Sequence, residues 1–328
     1  MKKIITRVGK GLAVAGAAVG AQAAINAFLA GKGGPLQPVL GGTHSTYKWR
    51  LGRIHYTVAG DGPPLLLVHG IGAGASSYEW RRNFEALSAH YQVYALDLLG
   101  FGLSARPAMQ HSGRYYVQLL DDFIRYVIKR DANVMASSHS TAYAIRLAYT
   151  RPERIRSLIL VCPVGMGQRP EGPTPLERMG TALDLPLVGD SAYHILTSRA
   201  NIARTLREEI YYDPGQVTEA MIDQYYTSAH GPGARQAIAA FLKGDLYLDI
   251  SAEFQALKQP VLMVWGAEST YTPVTRARAF QEANGNAILH LFADTRQVPQ
   301  DEKADDFNRL ALSWLKPLTN DQVLRVLG

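Results

Sequence analysis

From about residue 45 onward, short apolar runs alternate with segments whose apolar positions recur every three to four residues. That alternation predicts strands separated by helices. Two alternating runs, residues 47–51 and 54–58, predict a leading hairpin. Residues 64–69 form a continuous apolar run, as expected of a strand covered on both faces. Helical periodicity over 79–89 precedes a strand at 93–98, a loop holding Gly100 and Gly102, and a helix over 115–128. A strand at 133–137 leads straight into a helix over about 141–149, and a further strand follows at 158–162. The alternation then stops. Residues 165–246 carry Pro-rich turns and helical stretches but no strand pattern, and read as an inserted helical cap. Alternation resumes with a strand at 260–265, a helix at 275–283, a strand at 288–292 and a helix at 305–315.

Strands and helices alternating at this length predict an α/β fold with a doubly wound, mostly parallel sheet. Ligands on such sheets sit outside the carboxyl ends of the strands. The expected organisation is a basic and apolar N-terminal helix and linker (1–43), a first core part (44–164), the cap (165–248) and a second core part (249–328).

Composition narrows the function classes. Hydrophobic residues at 47% and charged residues at 19% describe a folded chain rather than a disordered one. The single cysteine, Cys162, excludes an intrachain disulfide and a multi-cysteine zinc site. The net charge of +6 suggests a polyanion partner until its distribution is examined. Lys2, Lys3, Arg7, Lys10, Lys32, Lys48 and Arg50 fall in the first fifty residues with no acid among them, so the remainder is near neutral. No nucleic-acid partner is expected; a basic arm suits an anionic membrane surface. Beside that arm lies an uncharged Ala/Gly-rich run from 11 to 30, interrupted by Gln22 and Asn26. Its length matches a membrane span, Ala21 and Ala23 match a signal-peptide cleavage site, and a surface-lying helix is a third mode. The expectation is membrane association through residues 1–30, or export if the segment is cleaved, on a side of the membrane the sequence leaves open. Packing of the run on a neighbouring protein is the plain alternative.

Four motifs fall at predicted sheet edges in order: H-G-I-G from His69, D-L-L-G-F-G-L-S-A-R-P from Asp97, A-S-S-H-S from Ala136, and W-G-A-E-S from Trp265. A closing V-P-Q-D-E begins at Val298. With these, residues 45–316 resemble the α/β-hydrolase superfamily, with its helical cap. The resemblance implies a nucleophile elbow, in which a strand turns sharply into a helix and only small residues fit on either side. Ala136 and Ser140 stand at the two glycine positions, and Ser138 falls at the nucleophile. It also implies an oxyanion hole made by the backbone N–H groups of Ile71 and His139. A turn filled by small polar serines is the plain alternative.

The resemblance fails at the two remaining triad positions. Gln297 stands where the family has its histidine, and Ser269 where it has the acid, with Glu268 one residue early. A glutamine can donate and accept hydrogen bonds but cannot shuttle a proton near neutral pH. Among the nine histidines, His230 in the cap is the candidate replacement base, its alternative a structural histidine. Glu79 is a possible acid, or a charge in the first turn of a helix. The cap tyrosines Tyr193, Tyr211, Tyr212, Tyr225 and Tyr226 suggest an apolar pocket with polar handles, or plain cap packing. No metal, phosphate-loop or dinucleotide pattern appears, so no cofactor is expected. Two functions follow as expectations. One is hydrolysis of an ester-like or other carbonyl-bearing apolar molecule by Ser138 with a non-standard base. The other is a catalytically silent relative that binds a small apolar ligand or a protein partner at a membrane.

Overall fold

The computed structural model describes residues 34–167, 174–185 and 188–316. The expectations for residues 1–30 lie outside that range. β1 (Thr43–Trp49) and β2 (Gly52–Ala59) form the leading antiparallel hairpin. β3 (Pro64–Val68), β4 (Gln92–Leu96), β5 (Ala132–Ser137), β6 (Ile155–Val161), β7 (Val261–Gly266) and β8 (Ile288–Phe292) follow. The sheet order is β1-β2-β4-β3-β5-β6-β7-β8, antiparallel as far as β4 and parallel from there to β8. β3 and β5 lie side by side at the centre, fully buried along their length. Their carboxyl ends therefore meet, which brings the His69 loop beside the Ser138 turn.

The helices are α1 (Phe84–Ser88), α2 (Gly113–Phe123) and α3 (His139–Thr150) in the first core part. Between β6 and β7 come α4 (Pro175–Leu183), α5 (Val188–Leu196), α6 (Arg199–Thr205), α7 (Glu219–Ala229), α8 (Ala234–Lys243) and α9 (Ser251–Gln255). α10 (Thr275–Ala283), α11 (Pro299–Glu302) and α12 (Ala304–Leu315) complete the chain. α4 begins with a reciprocal cap between Thr174 and Glu177, which satisfies two first-turn N–H groups.

One sequence expectation is corrected here. The helix expected over 79–89 is broken into a short turn, Ser77–Trp80, and α1. Asn83 lies between them and is fully buried. Its amide donates to the Gln300 carbonyl and to Asn308 Oδ1, both at 2.8 Å. Side-chain bonds of this kind compete with a continuous local helix, and the Asn83 backbone instead closes the turn on Trp80 O and caps α1 through Leu87 N.

Asp97 ties the loops at this end of the sheet together. Its carboxylate accepts from Ser77 N at 2.7 Å, Leu103 N at 2.8 Å and His55 Nδ1 at 3.1 Å. Residue 102 must be glycine: its φ is +52°, and a Cβ there would sit 2.3 Å from Asp97 Cγ. Asp97→Ala leaves two buried donors and one half-buried donor unpaired, and the expected cost is about 3 kcal/mol. Urea unfolding checks this; an unchanged midpoint would show that the loops hold without the carboxylate.

Candidate active site

β5 ends at Ser137 and α3 begins at His139, so Ser138 carries the whole reversal, at φ 51° and ψ −126°. That conformation costs about 1–3 kcal/mol for a residue with a side chain. Neighbouring contacts hold it. Ser138 N donates to Val161 O at 2.9 Å, and Ser140 Oγ donates to His69 O at 2.6 Å. Thr141 Oγ1 donates to Ser138 O at 2.6 Å and accepts from Val164 N at 3.3 Å. Ala136 and Ser140 are wholly buried, consistent with small residues at those two positions.

Ser138 lines a cavity of about 250 Å³ between the sheet edge and the cap. Leu196, Ile202, Leu206, Ile238, Phe241 and Leu242 give it apolar walls. On the core side it is lined by Gly70, Ile71, Glu79, Ser137, Ser138 and Gln297.

The loop after β3 is fixed by His69. Its Nε2 accepts from Leu98 N at 3.1 Å, so Nδ1 carries the proton and donates to Gly70 O at 2.6 Å. Burial holds the ring neutral by lowering its pKa. Gly70 N donates to Glu79 Oε2 at 2.7 Å. Both polar groups of residue 70 are thus spent inside the protein. Neither the Ile71 N–H nor the His139 N–H has a protein acceptor among the described residues. The His139 ring packs edge-on against Phe241, and burial pushes its pKa down to about 4. Its ring is a neutral packing group.

Gln297 and Ser269, the pair at the triad positions, do meet. Ser269 Oγ and Thr272 Oγ1 both donate to Gln297 Oε1 at 2.9 Å, and Gln297 N donates to the cap carbonyl of Ile210 at 3.0 Å. With Oε1 saturated, the Nε2 donors have no protein acceptor among the described residues. A position expected to hold a proton acceptor therefore offers a fixed hydrogen-bond donor. Glu268 turns elsewhere, its Oε2 accepting from Thr295 N at 3.1 Å. Cys162 adjoins Ser269 and Thr272, and burial pushes its thiol up to about 12, so it is an inert neutral group.

His230 as replacement base is corrected. It does not line the cavity with Ser138. Its Nδ1 pairs with Tyr226 O at 2.9 Å, and the ring stacks between His194 and Tyr226. The aromatic composition of the cap accounts for it as packing. Among the described residues no group of three His, Cys, Asp or Glu side chains is placed to hold a metal.

The residue that sequence reasoning undervalued is Glu79. It points inward, not out from a helix as a first-turn charge would. Its Oε2 receives Gly70 N, its Oε1 receives Gln300 Nε2 at 2.8 Å, and the Ser137 hydroxyl also donates to it. Burial pushes its pKa up to about 7, with neighbouring Asp301 adding to the rise. Among the described residues it is the one carboxylate lining the cavity. The only signal in the sequence was its place ten residues after His69.

A family model described as alpha/beta hydrolase fold matches residues 63–304. The 2-hydroxy-6-oxo-6-phenylhexa-2,4-dienoate hydrolase of Comamonas testosteroni is 26% identical over 269 residues, covering 80% of this chain and 91% of that protein. A meta-cleavage product hydrolase from Pseudomonas fluorescens IP01 superposes with a TM-score of 0.71 at 23% identity, covering 82% of this chain and 96% of its own. A membrane phospholipase A described as a bacterial virulence factor gives a TM-score of 0.68 at 20% identity, covering 96% of this chain and 98% of its own. Among the described residues no helix is long and apolar enough to cross a membrane.

The raised pKa of Glu79 has a thermodynamic consequence. The folded state holds this proton up to about pH 7, whereas the unfolded chain releases it near 4.5. Stability from this group is therefore present at low pH and lost as pH rises between those values. Relative to Glu79→Gln, the wild type should lose about 3 kcal/mol between pH 4 and pH 8. Denaturant unfolding of both proteins across that range checks it; parallel stability curves would mean Glu79 titrates as an ordinary carboxylate.

Proposed function

The chain belongs to the alpha/beta hydrolase fold family, and on that premise we propose that it hydrolyses a small, apolar, carbonyl-bearing molecule at Ser138 without a histidine. One observation carries the reading. The turn at Ser138 keeps a costly backbone conformation, held by surrounding hydrogen bonds, and faces an apolar cavity beside two N–H groups with no protein acceptor. A fold gains nothing in stability from such a turn, so the strain points to a serine kept for chemistry.

Attack of Ser138 Oγ on a carbonyl carbon moves charge onto the carbonyl oxygen. The Ile71 and His139 amides are the groups suited to receive it. Gln297 Nε2 supplies a further donor for a substrate oxygen. The apolar walls select the rest of the molecule by exclusion of water, and the cavity volume limits it to a small ligand. The C. testosteroni relative is named for a substrate with a ketone beside a phenyl ring, which supports a carbonyl flanked by an apolar group. The uncharged run at 11–30 beside a basic arm is the feature that favours a site working at a membrane surface.

A second reading is favoured by Gln297. With a saturated amide where a proton shuttle is expected, the site would bind the same class of carbonyl compound and leave it intact.

Treating the full chain with a fluorophosphonate decides between them. Covalent labelling confined to Ser138, and absent from Ser138→Ala, is the expected result. A folded protein that takes no label would overturn turnover in favour of silent binding.

A further inference from the structure

We propose that Glu79 is the general base of this site, accepting the Ser138 proton directly or through one water lying against Gly70. This rests on the reading that Ser138 is the nucleophile.

The geometry centres on residue 70. A Cβ built on Gly70 would lie 3.4 Å from Glu79 Oε2, 3.4 Å from Ser138 Cβ and 3.5 Å from Ser137 Oγ. The carboxylate oxygen and Ser138 Cβ are thus at most twice 3.4 Å apart, both beside a residue that has no side chain. A hydroxyl and one bridging water span that upper bound, and a direct contact requires the two groups to close below it. Every other polar group of the core side lacks the capacity. Gln297 has its oxygen saturated, Ser137 already donates to Glu79, and Cys162 is held protonated. Tyr225 and Tyr271 line the cavity with phenols that burial keeps neutral.

Glu79 is also oriented for the task. Gly70 N and Gln300 Nε2 each hold one of its oxygens, as a third group orients the base in other nucleophile pairs. The groups facing it are Ser137, Gln300, the Tyr225 phenol and the Asp301 carboxylate. Arg81, the nearby cation, is bound to Asp301 at 2.7 Å and does not neutralise Glu79. Burial and the Asp301 charge bring Glu79 to a pKa of about 7, where a base combines a useful ionised fraction with a driving force for proton transfer.

The cycle balances on this one carboxylate. As Ser138 Oγ bonds to the carbonyl carbon, its proton passes to Glu79 and the π pair moves to oxygen. The tetrahedral species collapses, the ester C–O bond breaks, and the leaving alkoxide takes the proton from Glu79. Water then adds to the acyl carbon, giving a proton to Glu79. Collapse expels Ser138 Oγ, which recovers that proton, and a carboxylic acid is released.

The test measures the rate of Ser138 phosphonylation by a fluorophosphonate from pH 5 to 9. It uses the full chain, Glu79→Gln and Glu79→Asp, with thermal melting of each as a check of folding. The expected wild-type rate rises as pH passes about 7, and Glu79→Gln is at least about 100-fold slower with that rise gone. Equal rates and superimposable profiles for wild type and Glu79→Gln would overturn Glu79 as base while leaving Ser138 as nucleophile. No labelling of the wild type at any pH would overturn both. Should Glu79→Gln fail to fold, Glu79→Asp decides: a slower rate with a displaced midpoint supports the assignment, and a profile identical to the wild type overturns it.

Discussion

The reversal at Ser138 is the constraint on which the site depends. A parallel strand at the centre of the sheet must become a helix within one residue, and it does so at a positive φ. Three neighbours are recruited to hold it: the end of β6 through Val161, the loop after β3 through His69, and the β6–cap junction through Val164. Those same contacts fix the two N–H groups beside the serine. The turn and the two N–H groups are therefore one mechanical unit.

Around that unit one amide and one carboxylate supply the polar character of the core side. The position expected to accept a proton presents an amide donor, held by Ser269 and Thr272. A carboxylate, Glu79, also lines the core side, in the turn after the β3 loop, where Gly70 N, Ser137 and Gln300 bind it. Burying Glu79 costs stability at neutral pH, since its protonated form is favoured inside the protein. The adjoining helix α11 is similarly loaded. Asp301 receives Arg81 and the Tyr211 hydroxyl, and Glu302 receives Arg296 N and Tyr212 N. Because Tyr211 and Tyr212 belong to the cap, this acidic corner fastens the cap over the cavity while it sets the field at Glu79.

Much of the fold was legible because its strands are uniform apolar runs and its turns carry glycine at fixed places. The strand-to-helix reversal at Ser138 could be read from the apolar run before it, the helical pattern after it and the small residues Ala136 and Ser140 between them. What the sequence concealed was direction. Glu79 and Asn83 share a helical pattern with their neighbours, and nothing local shows that both turn inward to α11 and the segment beyond it. His230 sits beside glycines that suggest an approach to the site, yet its ring packs on Tyr226, one turn back on α7, and on His194 of α5, which the cap packing brings to it. Gln300, Asn308 and His194 are far in the chain from the residues they meet, and periodicity carries no information about them.

Pre-steady-state hydrolysis of p-nitrophenyl butyrate by the full chain tests the central claim most directly. The account predicts a burst of p-nitrophenolate approaching one equivalent per chain, with a butyryl group found by mass spectrometry on Ser138. A trace without a burst, no acyl adduct, and the same slow release from Ser138→Ala would contradict it.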